Sequence, residues 1–359
     1  MPRLSASQRF LPSLVANLLS FLAAVSGIAS PALAQTPTST PSEPSDAQQQ
    51  PERSDQTLKV NVNVVGVFFN VKDKHGALIP NQTKDDFEVF EDGKPQTIKY
   101  FTAESNLPLT LGILIDTSGS QLRVLDMEKE VGGAFLRQIL TDKDEAFVMD
   151  FDIQSELVQD YTRDIHRLQA ALNKVKINSG VSSGGGIPGL GGGPVPVHNS
   201  PGTVLYDAVY LSSNEMLAKE VGRKAMILLT DGEDEGSKLK IKDAIEAAQK
   251  ADAIIYVLLC ADRGGYFSVG MSYSGEGEMH KLTEATGGRV INVGNKFDKL
   301  KEAFDQIAAE LRSQYNLGYT STNPKLDGTY RKLEIKSKQN YKIQTRAGYY
   351  ATAREPLPQ

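Results

Sequence analysis

The chain has 359 residues, a length that accommodates two or three domains. It carries 39 Lys and Arg residues against 44 Asp and Glu residues, and the basic residues form no cluster. Nucleic-acid binding, which needs a basic surface, therefore has no support. The single cysteine, Cys260, excludes an intramolecular disulfide, and its apolar neighbours predict a buried small side chain. Stability must then come from the core alone.

Residues 1–34 have the pattern of a secretory signal. Arg3 and Arg9 precede a largely apolar stretch, and Ala32-Leu-Ala34 fits a small-x-small cleavage site. The alternative is an uncleaved anchor, because the apolar stretch approaches the ~20 residues that span a bilayer. Polar residues and a proline interrupt that stretch. We therefore expect cleavage, export and no stable membrane insertion of the mature protein.

Residues 35–56 are rich in Pro, Ser, Thr and Gln and have no large apolar side chain, which predicts a disordered linker. From Leu58 onward valines recur with period two, and this alternation predicts a β-strand. The alternation changes parity beside Gly66. Such a change predicts a β-bulge within one long strand.

Strand patterns occupy both flanks of the remaining chain. In the N-terminal β-module, residues 57–104, Phe87–Phe90 and Thr97–Tyr100 flank an Asp92-Gly93 turn and predict a hairpin. This module is too small to be stable alone. The C-terminal segment, residues 314–354, contains three more apolar stretches: 315–319, 330–335 and 341–350. We expect the two segments to join in one β-domain that the intervening region interrupts.

Residues 105–313 alternate short apolar strands with helical patterns, which is the signature of an α/β fold with a mostly parallel sheet. The predicted strands are Leu109–Ile115, Glu145–Phe151, Ser155–Asp160, Ala225–Thr230, Ile254–Cys260 and Arg289–Val293. The predicted helices lie near 124–139, 165–175, from 203 onward, 241–248, 278–285 and 297–311. Two glycine-rich stretches, 178–202 and 264–277, predict surface loops.

Small oxygen-bearing side chains stand where these strands end or a helix begins. Asp116, Ser118 and Ser120 follow the first strand, Asp231 follows the strand that ends at Thr230, and Thr203 opens a helical pattern. In parallel α/β sheets, ligands bind beyond the carboxyl ends of the strands. Hard oxygen ligands suit Mg2+, Mn2+ or Ca2+. The pattern therefore predicts one divalent cation at this edge.

These pieces resemble the metal-ion-dependent adhesion site of the von Willebrand factor type A family, and the resemblance covers about 105–313. It implies that Ser118, Ser120 and Thr203 are direct ligands, and that Asp116 and Asp231 act directly or through water. It also implies a doubly wound six-stranded sheet of order 3-2-1-4-5-6, with the short third strand antiparallel at an edge. The flanking β-segments resemble a bacterial, exported branch of this family.

The resemblance implies binding rather than catalysis. An octahedral ion held by two carboxylates and three hydroxyls keeps an open position for a partner's Asp or Glu. We expect a protein ligand and a periplasmic or extracellular location. Two alternatives stay open, namely a metal-dependent hydrolase or phosphatase-like enzyme and an envelope scaffold with a vestigial site. Phosphatases of the haloacid dehalogenase type need a second Asp where this chain has Ser118.

Each predicted ligand also has an ordinary structural explanation. Asp116, Ser118, Ser120 or Thr203 could cap a helix, because short oxygen-bearing side chains accept hydrogen bonds from the first turn. Asp231-Gly232 could be a plain turn. Their combined position at strand ends is what favours a metal site.

Overall fold

The computed structural model describes residues 64–104, 107–178, 202–260 and 275–352. The predicted signal segment, the linker and most of both glycine-rich loops lie outside these ranges, as does the start of the strand predicted from Leu58. None of the described helices is both long and apolar enough to cross a lipid bilayer.

Strands and helices follow the predicted alternation. The strands are β1 (Val64–Lys72), β2 (Phe87–Glu91), β3 (Lys94–Gln96), β4 (Ile98–Glu104), β5 (Leu109–Asp116), β6 (Glu145–Phe151), β7 (Ser155–Thr162), β8 (Arg223–Thr230), β9 (Ala253–Leu259), β10 (Val290–Asn292), β11 (Gln314–Thr320), β12 (Tyr330–Ser337), β13 (Lys342–Thr345) and β14 (Gly348–Tyr350). The α-helices are α1 (Leu125–Ile139), α2 (Ile165–Lys174), α3 (Leu205–Leu211), α4 (Ile241–Ala251), α5 (Gly275–Thr286) and α6 (Phe297–Arg312).

Strands β5 to β10 form one six-stranded sheet with the order β7-β6-β5-β8-β9-β10. Numbered within this sheet, the order is 3-2-1-4-5-6, which confirms the prediction. Neighbouring strands run parallel except β6 and β7, which are antiparallel at the edge as expected. The carboxyl ends of β5, β6, β8 and β9 therefore lie along one edge.

The central strand β5 is buried along its whole length, because apolar clusters cover both faces of the sheet. Leu111, Ile113 and Ile115 belong to one cluster, and Leu114 belongs to the other. At Gly112, an added Cβ would lie 2.5 Å from the Phe147 ring. Only glycine lets that ring pack across the strand.

The two flanking β-segments do pair with each other. Strand β1 pairs with β11 and β13, β4 pairs with β11, and β2 pairs with β12. The result is two four-stranded sheets, β13-β1-β11-β4 and β14-β12-β2-β3, around a shared apolar core. The expected joining of the segments is therefore observed, while the predicted domain boundaries stay predictions.

The hairpin prediction was right about the turn and wrong about the partner strand. Asp92 and Gly93 both have positive φ angles, 49° and 77°. However, β2 pairs with β3, and residues 97–100 lie mostly in β4 of the other sheet. The chain changes sheets after Gln96, which allows Ile98 to pack against the shared core from the opposite side.

The predicted bulge at Gly66 was also wrong. The register between β1 and β11 runs unbroken from Val64 to Phe69, and the irregularity lies instead between β11 and β4, at Gly318. Of the valines with the other parity, Val60 and Val62 lie outside the described ranges, and Val64 is exposed. The later half of β1 is covered on both faces: Phe69 enters the core of the β-domain, and Asn70, 1% exposed, donates to the Glu310 carbonyl at 2.8 Å.

The strand predicted over 341–350 is two strands in different sheets, β13 and β14. The break falls at Arg346, whose guanidinium pairs with Asp252 and donates to the Gly66 carbonyl at 2.8 Å. This mostly buried cation draws the chain away from the first sheet toward α4, which ends just before Asp252.

Helix α6 is fixed to the β-domain near its last turn. Glu310 is 3% exposed, and its carboxylate contacts Lys72 and Arg289, each at 2.8 Å. Gln344 donates to the same carboxylate at 3.1 Å. Burial would raise the pKa of Glu310, but the two cations outweigh it and hold the pKa below its usual value. Glu310 is therefore a charged residue that joins α6, which packs on the six-stranded sheet, to strands β1 and β13 of the β-domain.

Candidate metal centre

The chain turns sharply where β5 ends, and three predicted ligands share this turn. The Asp116 carboxyl is fully buried, and its Oδ1 accepts the Ser118 N–H at 2.9 Å. The hydroxyls of Ser118 and Ser120 lie 2.9 Å apart. A short 3-10 turn, Gly119–Arg123, then leads into α1. Three oxygen donors are thereby held together at the carboxyl end of the central strand.

Asp231 stands at the end of β8, the parallel neighbour of β5. Gly232 has a φ of +85°, so the chain can turn back at once, and the Asp231 carboxylate accepts the Glu233 N–H at 3.2 Å. The residue before it, Thr230, donates its hydroxyl to Asp116 Oδ2 at 2.7 Å. A side-chain hydrogen bond thus joins the ends of β5 and β8 directly at the site.

Thr203 lies two residues before α3, next to its N-cap residue Val204, and is half-buried. Its carbonyl accepts the N–H groups of Glu235 and Gly236, at 3.1 and 3.0 Å, from the segment that follows Asp231. Its neighbour Val204 donates its N–H to the Asp152 carbonyl, just after β6, at 2.7 Å. These bonds hold Thr203 at the same edge as the ends of β6 and β8.

The electrostatics of this edge call for a cation. Burial and, to a lesser extent, the charge of Asp231 raise the pKa of Asp116 to about 7 against the opposing hydrogen bonds from Thr230 and Ser118. No Lys or Arg in the described ranges forms an ion pair with Asp116. Carboxylates and hydroxyls without a compensating cation are a donor set that fits a hard divalent ion.

Both Asp116 oxygens already accept a hydrogen bond. Coordination by Asp116 would therefore use a remaining lone pair or a bridging water. Within the described ranges, no group of three or more His, Cys, Asp or Glu side chains is arranged to hold a metal. The candidate ligand set has only two such side chains, and hydroxyls complete it.

Helix capping does not account for the hydroxyls. Ser118 is the N-cap residue of the 3-10 turn but makes no side-chain capping bond. The N-cap position of α3 is occupied by Val204, not by Thr203. Two nearby acids have local roles in the fold. Asp234 accepts the Tyr206 N–H at 3.1 Å, and Asp207 accepts the Leu239 N–H at 2.9 Å. The two serine hydroxyls hydrogen-bond each other instead, and their remaining lone pairs can still accept a cation.

Two buried polar residues behind the turn, Gln121 and Glu128, escaped the sequence analysis. Glu128 is 1% exposed, and neither carboxyl oxygen has a well-aligned hydrogen-bond partner. Burial, with smaller contributions from Asp116 and Asp231, raises the pKa of Glu128 to about 8, although the adjacent Cys260 thiol opposes the rise. Its position four residues after Val124, on the buried stripe of α1, was a signal for it. Gln121 had no such signal.

No protein-family model matches the chain, and no curated protein matches it. Similar solved structures include the conserved hypothetical protein BatB from Bacteroides thetaiotaomicron, with 18% identity, 57% of this chain and 100% of that chain covered, and a TM-score of 0.41. A von Willebrand factor type A protein from Catenulispora acidiphila has 13% identity, coverages of 74% and 73%, and a TM-score of 0.43. Proximal thread matrix protein 1 from the mussel byssus, with a zinc-occupied MIDAS motif, has 16% identity, coverages of 60% and 48%, and a TM-score of 0.44.

These similarities are too low to transfer any residue's role. The topology of the chain itself is more specific, because it combines the 3-2-1-4-5-6 order with an antiparallel third strand and helices on both faces. Strands β5 to β10 and the helices that cover them therefore have the doubly wound topology that the resemblance to the von Willebrand factor type A family implied.

Proposed function

We propose that this protein binds a carboxylate of a partner protein through a divalent cation at the carboxyl edge of its central sheet. The observation that carries the proposal is the fully buried Asp116, whose raised pKa reflects burial and the nearby Asp231 charge. A buried pair of acids is costly unless a cation offsets it. The cation would be held by Asp116, Ser118, Ser120, Thr203 and Asp231.

The ligand set also limits what the ion can bind. Five protein oxygens, from two carboxylates and three hydroxyls, would leave one of the six positions of an octahedral ion open for a further oxygen ligand. An Asp or Glu side chain of a partner protein supplies it, and Mg2+ is the first choice of ion, with Mn2+ and Ca2+ as alternatives. The proposed location is outside the cytoplasm, in keeping with the secretory pattern of residues 1–34.

Binding is proposed in preference to catalysis. A phosphatase of the type considered above needs an acid two residues after its nucleophilic Asp, and that position is Ser118, whose hydroxyl contacts Ser120. A metal-dependent hydrolase and a scaffold with a vestigial site are the competing readings. The first would turn over an ester substrate, and the second would bind no ion.

The direct test is calorimetric titration of Mg2+, Mn2+ and Ca2+ into the chelator-treated protein and its Asp116→Asn variant. The variant keeps an oxygen for the Ser118 N–H but lacks the charge, so we expect saturable binding in the wild type and none in the variant. Asp144→Asn is the matched control. Asp144 is also buried, and it accepts the Leu109 N–H at 2.8 Å at the opposite end of β5.

Retention of ion binding in Asp144→Asn would tie the loss to the site rather than to a weakened fold. Equal binding by wild type and Asp116→Asn would contradict the proposed site. With Mn2+ bound, relaxation of water protons then reports open coordination positions. A glutamate-bearing peptide is expected to reduce that relaxation, whereas the same peptide with glutamine leaves it unchanged.

A further inference from the structure

Gln121 is a fully buried amide that directly follows the last serine of the turn. In the amide orientation that satisfies its neighbours, Oε1 accepts the Asp231 N–H at 3.1 Å and Nε2 donates to the Cys260 carbonyl at 3.1 Å. Its own N–H donates to the Ser118 carbonyl at 3.0 Å. One residue therefore connects the chain ends of β5, β8 and β9.

We propose that Gln121 is a positioning residue that sets the location of Asp231 relative to the serine hydroxyls, and thereby the affinity of the site for its cation. This inference rests on the proposed function. Ser118 and Ser120 share one turn and are held relative to each other by it. Asp231 belongs to a separate strand, so its position depends on bonds between strand ends.

Among the described residues, two side-chain hydrogen bonds join the end of β8 to the turn after β5, and they act on different atoms. Thr230 reaches Asp116 through its side chain and so fixes the residue before Asp231. Gln121 holds the peptide N–H of Asp231 itself. Partners of this kind, which do not touch the metal but orient its ligands, typically change metal affinity 10–100-fold when replaced.

The chemistry of an amide suits this place. Asp116, Asp231 and Glu128 already put three acids behind or within the site, and their mutual repulsion contributes to the raised pKa of Glu128. An acid at 121 would add to that repulsion, and a lysine would compete with the cation. Glutamine offers one acceptor and one donor without charge, which is what the Asp231 N–H and the Cys260 carbonyl require.

The test is the dissociation constant of Mn2+ for the full-length wild type, Gln121→Met and Gln249→Met. Methionine has a similar length and volume but replaces neither hydrogen bond. Gln249 is the matched control because it is 5% exposed and donates to the Ala285 carbonyl at 2.8 Å, away from the metal edge. Both variants are expected to lower the unfolding free energy.

Only Gln121→Met is expected to weaken Mn2+ binding, by about 10–100-fold. A Gln121→Met affinity within twofold of the wild type would overturn the inference while leaving the proposed function intact. Absence of Mn2+ binding in the wild type would overturn both. Where Gln121→Met does not fold, Gln121→Asn, which is one methylene too short to reach both partners, gives the same reading.

Discussion

Replacing Asp116 by asparagine is expected to stabilise the metal-free protein above neutral pH. The folded-state pKa of Asp116 is about 7, against 3.8 for an unperturbed aspartate, because burial and Asp231 disfavour its charge. An acid whose pKa is raised by folding contributes its full stability below pH 3.8, where it is protonated in both states. This contribution is lost as the pH rises from 3.8 through about 7. Asparagine occupies the same space without titrating.

The size of the effect follows from the two pKa values. At about 1.36 kcal/mol per pH unit, the shift from 3.8 to about 7 corresponds to about 4 kcal/mol. The free energy of unfolding of Asp116→Asn should therefore gain about 4 kcal/mol on that of the wild type between pH 3.8 and 8. The two proteins share every other titrating group, so the difference reports the titration of Asp116 together with its interactions with Asp231 and Glu128.

Urea unfolding in chelator measures this difference at pH 4, 6 and 8, followed by circular dichroism because the chain has no tryptophan. Repeating the series with Mn2+ at 100 times its dissociation constant should add about 2.7 kcal/mol to the wild type and nothing to the variant. A difference in unfolding free energy that does not change with pH would refute the raised pKa of Asp116 on which this prediction rests.

Two further substitutions test the surroundings of the site. Glu128→Gln should also gain about 4 kcal/mol on the wild type between pH 4.5 and 8, because the raised pKa of about 8 means that folding opposes ionisation of Glu128. Its Mn2+ affinity at pH 7 should be unchanged, since Glu128 is mostly protonated there; a tenfold change would show that its charge acts on the ion. Glu310→Gln should cost about 3 kcal/mol of unfolding free energy, since it leaves Lys72 and Arg289 without their buried partner. Its Mn2+ affinity should equal that of the wild type, and a loss of affinity would show that the anchor of α6 influences the metal edge.

The α/β part of the fold could be predicted because its signals are local. Buried parallel strands such as β5 appear as short apolar runs that alternate with helical patterns, whereas the sheet order was expected from the family resemblance. The turn after β5 could also be anticipated, because Asp116, Ser118 and Ser120 are adjacent in sequence. Their hydroxyl and carboxyl groups are indeed close in space.

The errors arose where two segments with the same pattern compete for one partner. Residues 94–96 and 97–100 both follow the Asp92-Gly93 turn, and only the shared core decides that Ile98 belongs to the other sheet. Gln121 was missed because its partners, the Asp231 N–H and the Cys260 carbonyl, are main-chain groups more than 100 residues away, which leave no trace in a side-chain pattern.

The pairing of β1, β2 and β4 with C-terminal strands has a consequence for the order of events during synthesis. Strand β4 ends at Glu104 and its partner β11 begins at Gln314, so about 210 residues separate them. At roughly 5–20 residues per second, the first strands wait about 10–40 seconds for their partners. The six strands of the central sheet all lie between residues 109 and 292, so this sheet can assemble first. Folding of this central region then brings Glu104 and Gln314 together, and the strands of the β-domain can pair only after that.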